Sequence, residues 1–321
     1  MRAFLVRRAV FALVLVACAS SAAFLLTRAA PGDVTTQLGP FAKAEELAAT
    51  RARFGLDRPV PEQWLLWAGR ALRFDFGDSF LYNRPVARVL APAALNTAIL
   101  AVVALAVATA GGLALGVVSG SRSGVVPAAI RALSAVCVSL PPLLTSLIFV
   151  FLAARTGWLP AGGMSSAGAG DLSWAAWLAD VAWHVPLPAL ALALPIAATF
   201  ERLQSQAMSE AVAEPFVQAA RARGVGGSSL IWRHAWPASL RPICAVLGVA
   251  IGALLSGSFV VEYVTTWPGL GRLMYEALRA RDIYLVAGCA AMGSAFLACG
   301  TLAGDLLLAA VDPRVRDEAV S

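Results

Sequence analysis

Lysine is almost missing from this chain. Lys43 is the only one in 321 residues, so arginine supplies nearly all of the 25 basic side chains. A phosphate-cradling P-loop needs a glycine-rich turn ending in Lys and then Ser or Thr. Lys43 sits between Ala42 and Ala44 with no glycine pattern around it, which excludes such a loop. Charge of either sign is scarce as well, at 14% of residues, and there are two histidines. The chain has no HExxH zinc motif, no GxSxG elbow and no paired-carboxylate constellation, so no membrane-enzyme signature is visible. The five cysteines, Cys18, Cys137, Cys244, Cys289 and Cys299, fall in apolar runs without CxxC or Cys/His spacing. They read as free, buried, small hydrophobes, with no metal or cofactor site. The net charge of +6 is scattered along loop ends rather than gathered in one patch, which argues against nucleic acid as a partner.

What the chain has in abundance is apolar sequence, 59% of residues, with a mean hydropathy of +0.75. A hydrocarbon core of roughly 30 Å takes about 20 apolar residues to cross. Six runs meet that length, at 9–29, 94–118, 133–154, 186–204, 243–263 and 285–310. Backbone groups in lipid must be satisfied within the segment, so these are expected to be helices. Arginine asymmetry sets the orientation. One side receives Arg2, Arg7, Arg8, Arg122, Arg131, Arg202, Arg221, Arg223, Arg233, Arg241, Arg314 and Arg316; the short loops opposite carry Arg155, Arg272, Arg279 and Arg281. Both termini and the segment 205–242 are therefore expected in the cytoplasm. Trp158, Trp174, Trp177, Trp183 and Trp267 fall near the outer interface as an aromatic belt. Two amphipathic stretches at about 42–54 and 61–73, the second with Trp64 and Trp67, are expected to lie on the outer membrane surface. The loop 155–185 is Gly/Ser-rich in its middle and expected to be mobile there. The N-terminal run continues past Leu15-Val16-Ala17-Cys18 to Leu26, longer than a cleaved signal's apolar core, so a retained first helix is expected.

Between two apolar runs lies a polar island, 209–242, too charged to cross a bilayer. Ser209 is placed to cap a helix starting at Glu210. Pro215 suits the first turn of a short helix over 215–223, and Gly224 suits its left-handed end. Gly226-Gly227 then turns the chain, Ser228 or Ser229 caps a second helix, and Pro237 and Pro242 mark the return to the membrane. Phe216 and Ala220 lie four apart and are expected on one face, next to Ala219, with Arg221 and Arg223 bracketing it. A helix this short is unstable alone in water and needs a host surface, its own protein or a partner.

Gln218-Ala219-Ala220, Gly224 and Pro237 fall on the spacing EAA-x3-G-x9-I-x-LP. That spacing resembles the cytoplasmic EAA loop of bacterial ABC-importer permeases. FVVEYVTTWPGLGRLMYEALRARDIYLVAG at 259–288 looks like the WPGLG region of the dipeptide/oligopeptide/nickel permease family. GDLLLAAVDPRVR at 304–316, LTRAAPGDV at 26–34, FGLDRPVPEQWLLWAG at 54–69 and GWLPAGG at 157–163 are similar too. The resemblance runs in order over essentially the whole chain.

It implies an all-α, type I importer permease with six transmembrane helices: a first helix and external loop over 1–93, a five-helix core over 94–311 containing the coupling loop 205–242, and a tail at 312–321. It also implies a second, related permease as pore partner, two ATPase subunits that bind ATP in this chain's stead, and an extracytoplasmic binding protein, all at the bacterial inner membrane. The coupling residues carried over are Phe216, Gln218, Ala219, Ala220, Arg221, Gly224 and Pro237. Gln218 stands where the motif is acidic, Pro215 replaces a position usually acidic, and His234 and Trp236 replace the aliphatic pair. Dipeptides, longer peptides, a nickel chelate or a glycoside all fit this architecture, with peptides favoured. A self-contained secondary transporter is the competing class. Against it, the second and third runs hold no acidic or basic side chain, and proton-coupled carriers place carboxylates or His at the midplane. Glu262 and Asp305 are the ionisable residues nearest the interior, expected at the outer and inner interfaces in structural roles.

Overall fold

The computed structural model describes residues 2–32 and 43–311. In chain order its helices are α1 (Arg2–Ala29), α2 (Ala44–Arg53), α3 (Val60–Ala71), α4 (Val86–Ser121), α5 (Val125–Val138), α6 (Pro142–Thr156), α7 (Trp174–His184), α8 (Pro186–Ala213), α9 (Pro215–Ala222), α10 (Gly227–Leu230), α11 (Trp236–Ser239), α12 (Arg241–Val264), α13 (Leu270–Ala280) and α14 (Ile283–Val311). Among the described residues the nearest approach to a strand is an isolated bridge between Asp78 and Pro85. Five segments are long and apolar enough to cross a membrane: Val6–Ala29, Val86–Ser121, Trp174–Ala213, Arg241–Val264 and Ile283–Leu307. The expected all-α membrane fold is what the chain adopts.

The run at 133–154 departs from expectation. It is not one helix but parts of two, α5 and α6, bent by 107° at a short break. The break falls on Ser139-Leu140-Pro141 just before Pro142. Pro141 has no N–H to continue α5, and a residue before proline is pushed out of the helical region. At 1.5 Å per residue each half reaches only about 22 Å, short of a hydrocarbon core. Counting the pair as one span gives six. The expected mobile loop is also shorter than its sequence range, because α7 occupies its last third, with Ser173 Oγ capping the Ala176 N–H.

The chain divides into two compact units, one of Val6–Ala98 and Pro268–Ala298, the other of Met1–Leu5, Ile99–Trp267 and Cys299–Ser321. In the first, Phe24, Leu56, Trp67, Phe80, Val86, Leu90, Leu273 and Leu285 form the core. Trp67 is 2% exposed and stacks on Phe24 with centroids 5.3 Å apart. The helices expected at 42–54 and 61–73 do form, but Trp67 is a core residue rather than a surface anchor. Asp282 pins this unit. One carboxylate oxygen accepts from the Ser79 hydroxyl at 2.5 Å and the Leu81 N–H at 3.1 Å; the other accepts from the Leu285 N–H at 3.0 Å, capping α14. Burial pushes the Asp282 carboxyl above its usual value, against the pull of these hydrogen bonds.

In the second unit α8 lies at the centre, packed by α5, α6 and α12. The approach of α4 to α8 is close because glycine recurs there: a Cβ on Gly116 would come within 2.5 Å of Gln204 Cβ. Proline 195 sits inside α8, and its missing N–H strands the Ala191 carbonyl four residues back. Thr145 on α6 repairs this, donating its hydroxyl to Ala191 O at 2.8 Å. Trp267, expected in the outer belt, is fully buried in this unit's core, and Glu262, expected at the outer interface, is likewise 0% exposed. Trp158, Trp174 and Trp183 are exposed. All five cysteines are free, but Cys18 and Cys299 are exposed rather than buried.

Two outcomes follow from these contacts. Thr145→Val keeps the shape but leaves Ala191 O unpaired, and should lower stability by about 1–3 kcal/mol, read as a lower unfolding midpoint in detergent; an unchanged midpoint would show that the carbonyl finds another donor. A carboxyl with a raised folded pKa favours folding most below its usual value of 3.8, and that advantage fades as pH rises through the raised value. The stability of the wild type relative to Asp282→Asn should therefore decline with rising pH across that window and then level off. A difference independent of pH would refute it.

Candidate coupling site

α8 does not stop at the membrane run but continues to Ala213. Ser209 is thus inside a helix, donating its hydroxyl to Gln206 O at 2.9 Å, and caps nothing. The chain leaves α8 at Glu214, whose extended backbone (φ −60°, ψ 141°) redirects it into Pro215, the first residue of α9. Proline at that position gives up only an N–H that would be unsatisfied anyway. Glu214 O then receives the Val217 and Gln218 N–H groups.

The end of α9 is a Schellman turn. The Gly224 N–H bonds to Arg221 O at 3.0 Å and the Val225 N–H to Ala220 O at 3.2 Å, with Gly224 at φ +85°. That conformation is open to glycine and strained for other residues. Val225 packs against the apolar cluster that contains Ala220.

Burial separates the two faces of α9. Val217 and Ala220 are both 0% exposed, joined with Val117, Met208, Ala211, Leu230 and Ala235 in one cluster. Phe216 is 49% exposed, and Gln218, Ala219, Arg221 and Arg223 are also exposed. Phe216 and Ala220 therefore do not share a face: Ala220 packs inward on its own protein, while Phe216, Ala219 and Arg223 recur at helical spacing on the open side. Gln218 turns back, its Nε2 donating to Val212 O at 2.7 Å in the last turn of α8. A carboxylate at this position could not make that bond, since it has no proton to give. Arg221 and Arg223 sit at the C-terminal end, where cations suit the helix dipole.

After Gly226, which caps α10 without a side-chain bond, the backbone widens into a π turn over Ile231–Ala235. The Trp236 N–H reaches back to Ile231 O, and Pro237 next to it has no N–H to give. His234 is inside this turn and Trp236 begins α11, so the two departures from the motif coincide with a local change of helix type. Pro237 is exposed and is the second residue of α11. Trp236 stacks at a tilt on exposed Trp232, centroids 5.6 Å apart.

Beneath this surface is a polar cluster that sequence inspection missed. Glu201 and Gln204 on α8 are 0% exposed. Glu201 Oε1 accepts from the Ser119 hydroxyl at 2.5 Å, and Gln204 Nε2 donates to Ser239 Oγ at 2.7 Å. Glu201 Oε2 and Gln204 Oε1 are buried without a donor. The available signal was spacing: Glu201, Gln204, Ser205 and Met208 recur at i, i+3, i+4 and i+7, the stripe of a buried helix face. A helix ended at residue 204 hides it.

Two stretches of the chain match known families. Residues 112–317 match the binding-protein-dependent transport system inner membrane component, and residues 1–92 match that system's N-terminal membrane component. The chain belongs to this family. It is therefore a membrane-embedded permease component of an ABC transport system. A probable peptide ABC transporter permease of Sinorhizobium fredii is 30% identical over 98% of this chain and 100% of its own length. An oligopeptide transport system permease of Bacillus subtilis is 28% identical over 98% of this chain and 99% of its own. A glutathione transport system permease of Escherichia coli is 29% identical over 91% and 92%. The permease's multi-pass character agrees with its apolar helices.

The inward and outward faces of α9 should separate by mutation. Ala220→Leu overpacks the cluster and should cost about 1–3 kcal/mol, while Phe216→Ala should change stability by less than about 0.5 kcal/mol. Thermal unfolding of the two variants in detergent checks this; equal effects would mean the faces are assigned wrongly.

Proposed function

We propose that this chain is the pore-forming subunit of a peptide importer, coupled to separate ATPase subunits through the open face of α9. The observation that carries the proposal is a short helix fixed on one side by buried Val217 and Ala220 while Phe216, Ala219 and Arg223 stay uncovered on the other. An isolated helix of eight residues has little stability in water, so its rigid attachment suits a lever that passes on a push from outside. Phe216 offers an apolar knob, Ala219 permits close approach, and Arg221 and Arg223 can meet acidic groups on a partner's rim. Gly224 and Pro237 fix the backbone at either end of the loop, and Gln218 holds α9 to α8.

In this proposal the chain binds no cofactor and catalyses no reaction. ATP is hydrolysed by two ATPase subunits, a second related permease completes the pore, and an extracytoplasmic binding protein delivers the substrate. The arginine-rich side, with both termini and the 205–242 segment, faces the cytoplasm. The substrate class is supported by the relatives, two of them described as peptide or oligopeptide permeases and one as a glutathione permease.

Affinity purification in mild detergent should recover an ATPase and a second permease, and the ligand of any copurifying binding protein should be a peptide. Gly224→Asp opposes the left-handed backbone and adds a charge beside the docking face. It should reduce substrate-stimulated ATPase activity roughly tenfold, equivalent to about 1.4 kcal/mol of coupling, with membrane insertion intact. Wild-type transport by a well-expressed Gly224→Asp variant would count against docking through α9. Gradient-driven uptake by the reconstituted chain alone would replace the proposal with a secondary transporter.

A further inference from the structure

We infer that a cavity at the meeting of α4, α5 and α8 binds the phosphate of an anionic phospholipid. The cavity is open to the surface, has a volume of about 600 Å³ and is lined by Arg122, Arg131, Arg202, Ser119, Ser205 and Ser209, among others, with no carboxylate in its walls. Among the described residues, none of these three arginines has a carboxylate partner. Arg131 is held in place by donating to the Ser119 carbonyl at 2.6 Å. The two nearby carboxylates on α8 are engaged elsewhere. Glu201 is buried and takes the Ser119 hydroxyl, and Glu210 accepts from Gln206 Nε2 at 3.1 Å. Three guanidinium groups and the Ser205 hydroxyl around one opening form a donor set suited to phosphate oxygens, which guanidinium binds with two parallel hydrogen bonds.

The surroundings favour a lipid over a free anion. On α5, the helix that supplies Arg131, exposed Ala128, Ala132 and Val136 form an apolar stripe four residues apart that continues from Ala135 in the cavity wall. In a membrane protein such a stripe can lie against acyl chains while the headgroup enters the basic pocket. Basic pockets between membrane helices are a recurrent form of headgroup site. The cavity is linked to the coupling helix through α8: the turn that lines it with Ser205 and Ser209 sends Met208 and Ala211 into the cluster that holds α9.

Native mass spectrometry of the purified protein in detergent tests this, with dioleoylphosphatidylglycerol, dioleoylphosphatidylcholine and inorganic phosphate as probes. Phosphatidylglycerol should bind at least about tenfold more tightly than phosphatidylcholine and weaken as salt rises. Arg122→Gln/Arg131→Gln/Arg202→Gln should abolish that preference. Arg122→Gln/Arg202→Gln, which spares the Arg131 bond to Ser119, should reduce it by most of that factor while the lipid-free unfolding midpoint stays at the wild-type value. Arg7→Gln/Arg8→Gln/Arg233→Gln, a matched loss of charge elsewhere, should keep it. Equal phosphatidylglycerol binding by wild type and the triple cavity variant would overturn the inference. So would competition by inorganic phosphate at the lipid's own concentration, which would mark a free-anion site. Cavity variants that keep the lipid but lose a copurifying ATPase would assign these arginines to an acidic protein partner instead, and would overturn it too.

Discussion

Every polar group that this chain takes into an apolar environment needs a partner from the chain itself, and that constraint organises the second unit around α8. An unpaired backbone carbonyl in hydrocarbon costs several kcal/mol. Pro195 creates such a carbonyl at Ala191 in the middle of α8, and Thr145 on α6 supplies the donor. The bend between α5 and α6 can be viewed in the same light, since it ends one helix and starts another whose first turn carries that threonine. One hydroxyl thereby ties the register of α6 to that of α8.

Further along α8 the same logic becomes a chain of connections. Glu201 is joined to Ser119 on α4, whose carbonyl receives Arg131 of α5, and Gln204 is joined to Ser239 on α11. One turn later Met208 and Ala211 pack against Val217 and Ala220 of α9. A displacement of α9 would thus press on the helix to which α4 and α11 are hydrogen-bonded, with α5 tied on through α4. A permease driven by distant ATP hydrolysis needs such a linkage, because a coupling free energy must be carried by contacts that differ between states. In the first unit Asp282 plays a comparable fastening role, gathering the 79–81 loop and the start of α14 on one buried carboxylate.

Much of this was legible from residue order. Long apolar runs, arginine placement and the absence of a P-loop lead to a multi-helix membrane protein whose energy comes from elsewhere. Pro215 and Gly224 marked the ends of α9 because each residue has a backbone preference that acts locally. What escaped were properties that depend on neighbours. Phe216 and Ala220 looked like one face at a spacing of four, yet a helix of eight residues has both a packed and an open side, and only its docking on α8 shows which is which. Trp67 and Trp267 looked like interfacial anchors because tryptophan favours that zone, but each is enclosed by helices from distant parts of the chain. Glu201 escaped because the buried stripe it shares with Ser205 and Met208 continues along α8 past the apolar run that was expected to end at 204.

Sequence alone settled composition-driven matters: helices in a membrane, the absence of a nucleotide loop, a short helix between a proline and a glycine, and the family whose motifs run through the chain. These follow from transfer free energies and backbone preferences that each segment carries by itself. Tertiary structure alone decided the partner for the Ala191 carbonyl, the inward turn of Ala220, the return of Gln218 to α8, and the gathering of three arginines around one cavity. Those depend on which surfaces meet. Burial and hydrogen bonding across long sequence separations are set by packing, and no local pattern encodes them.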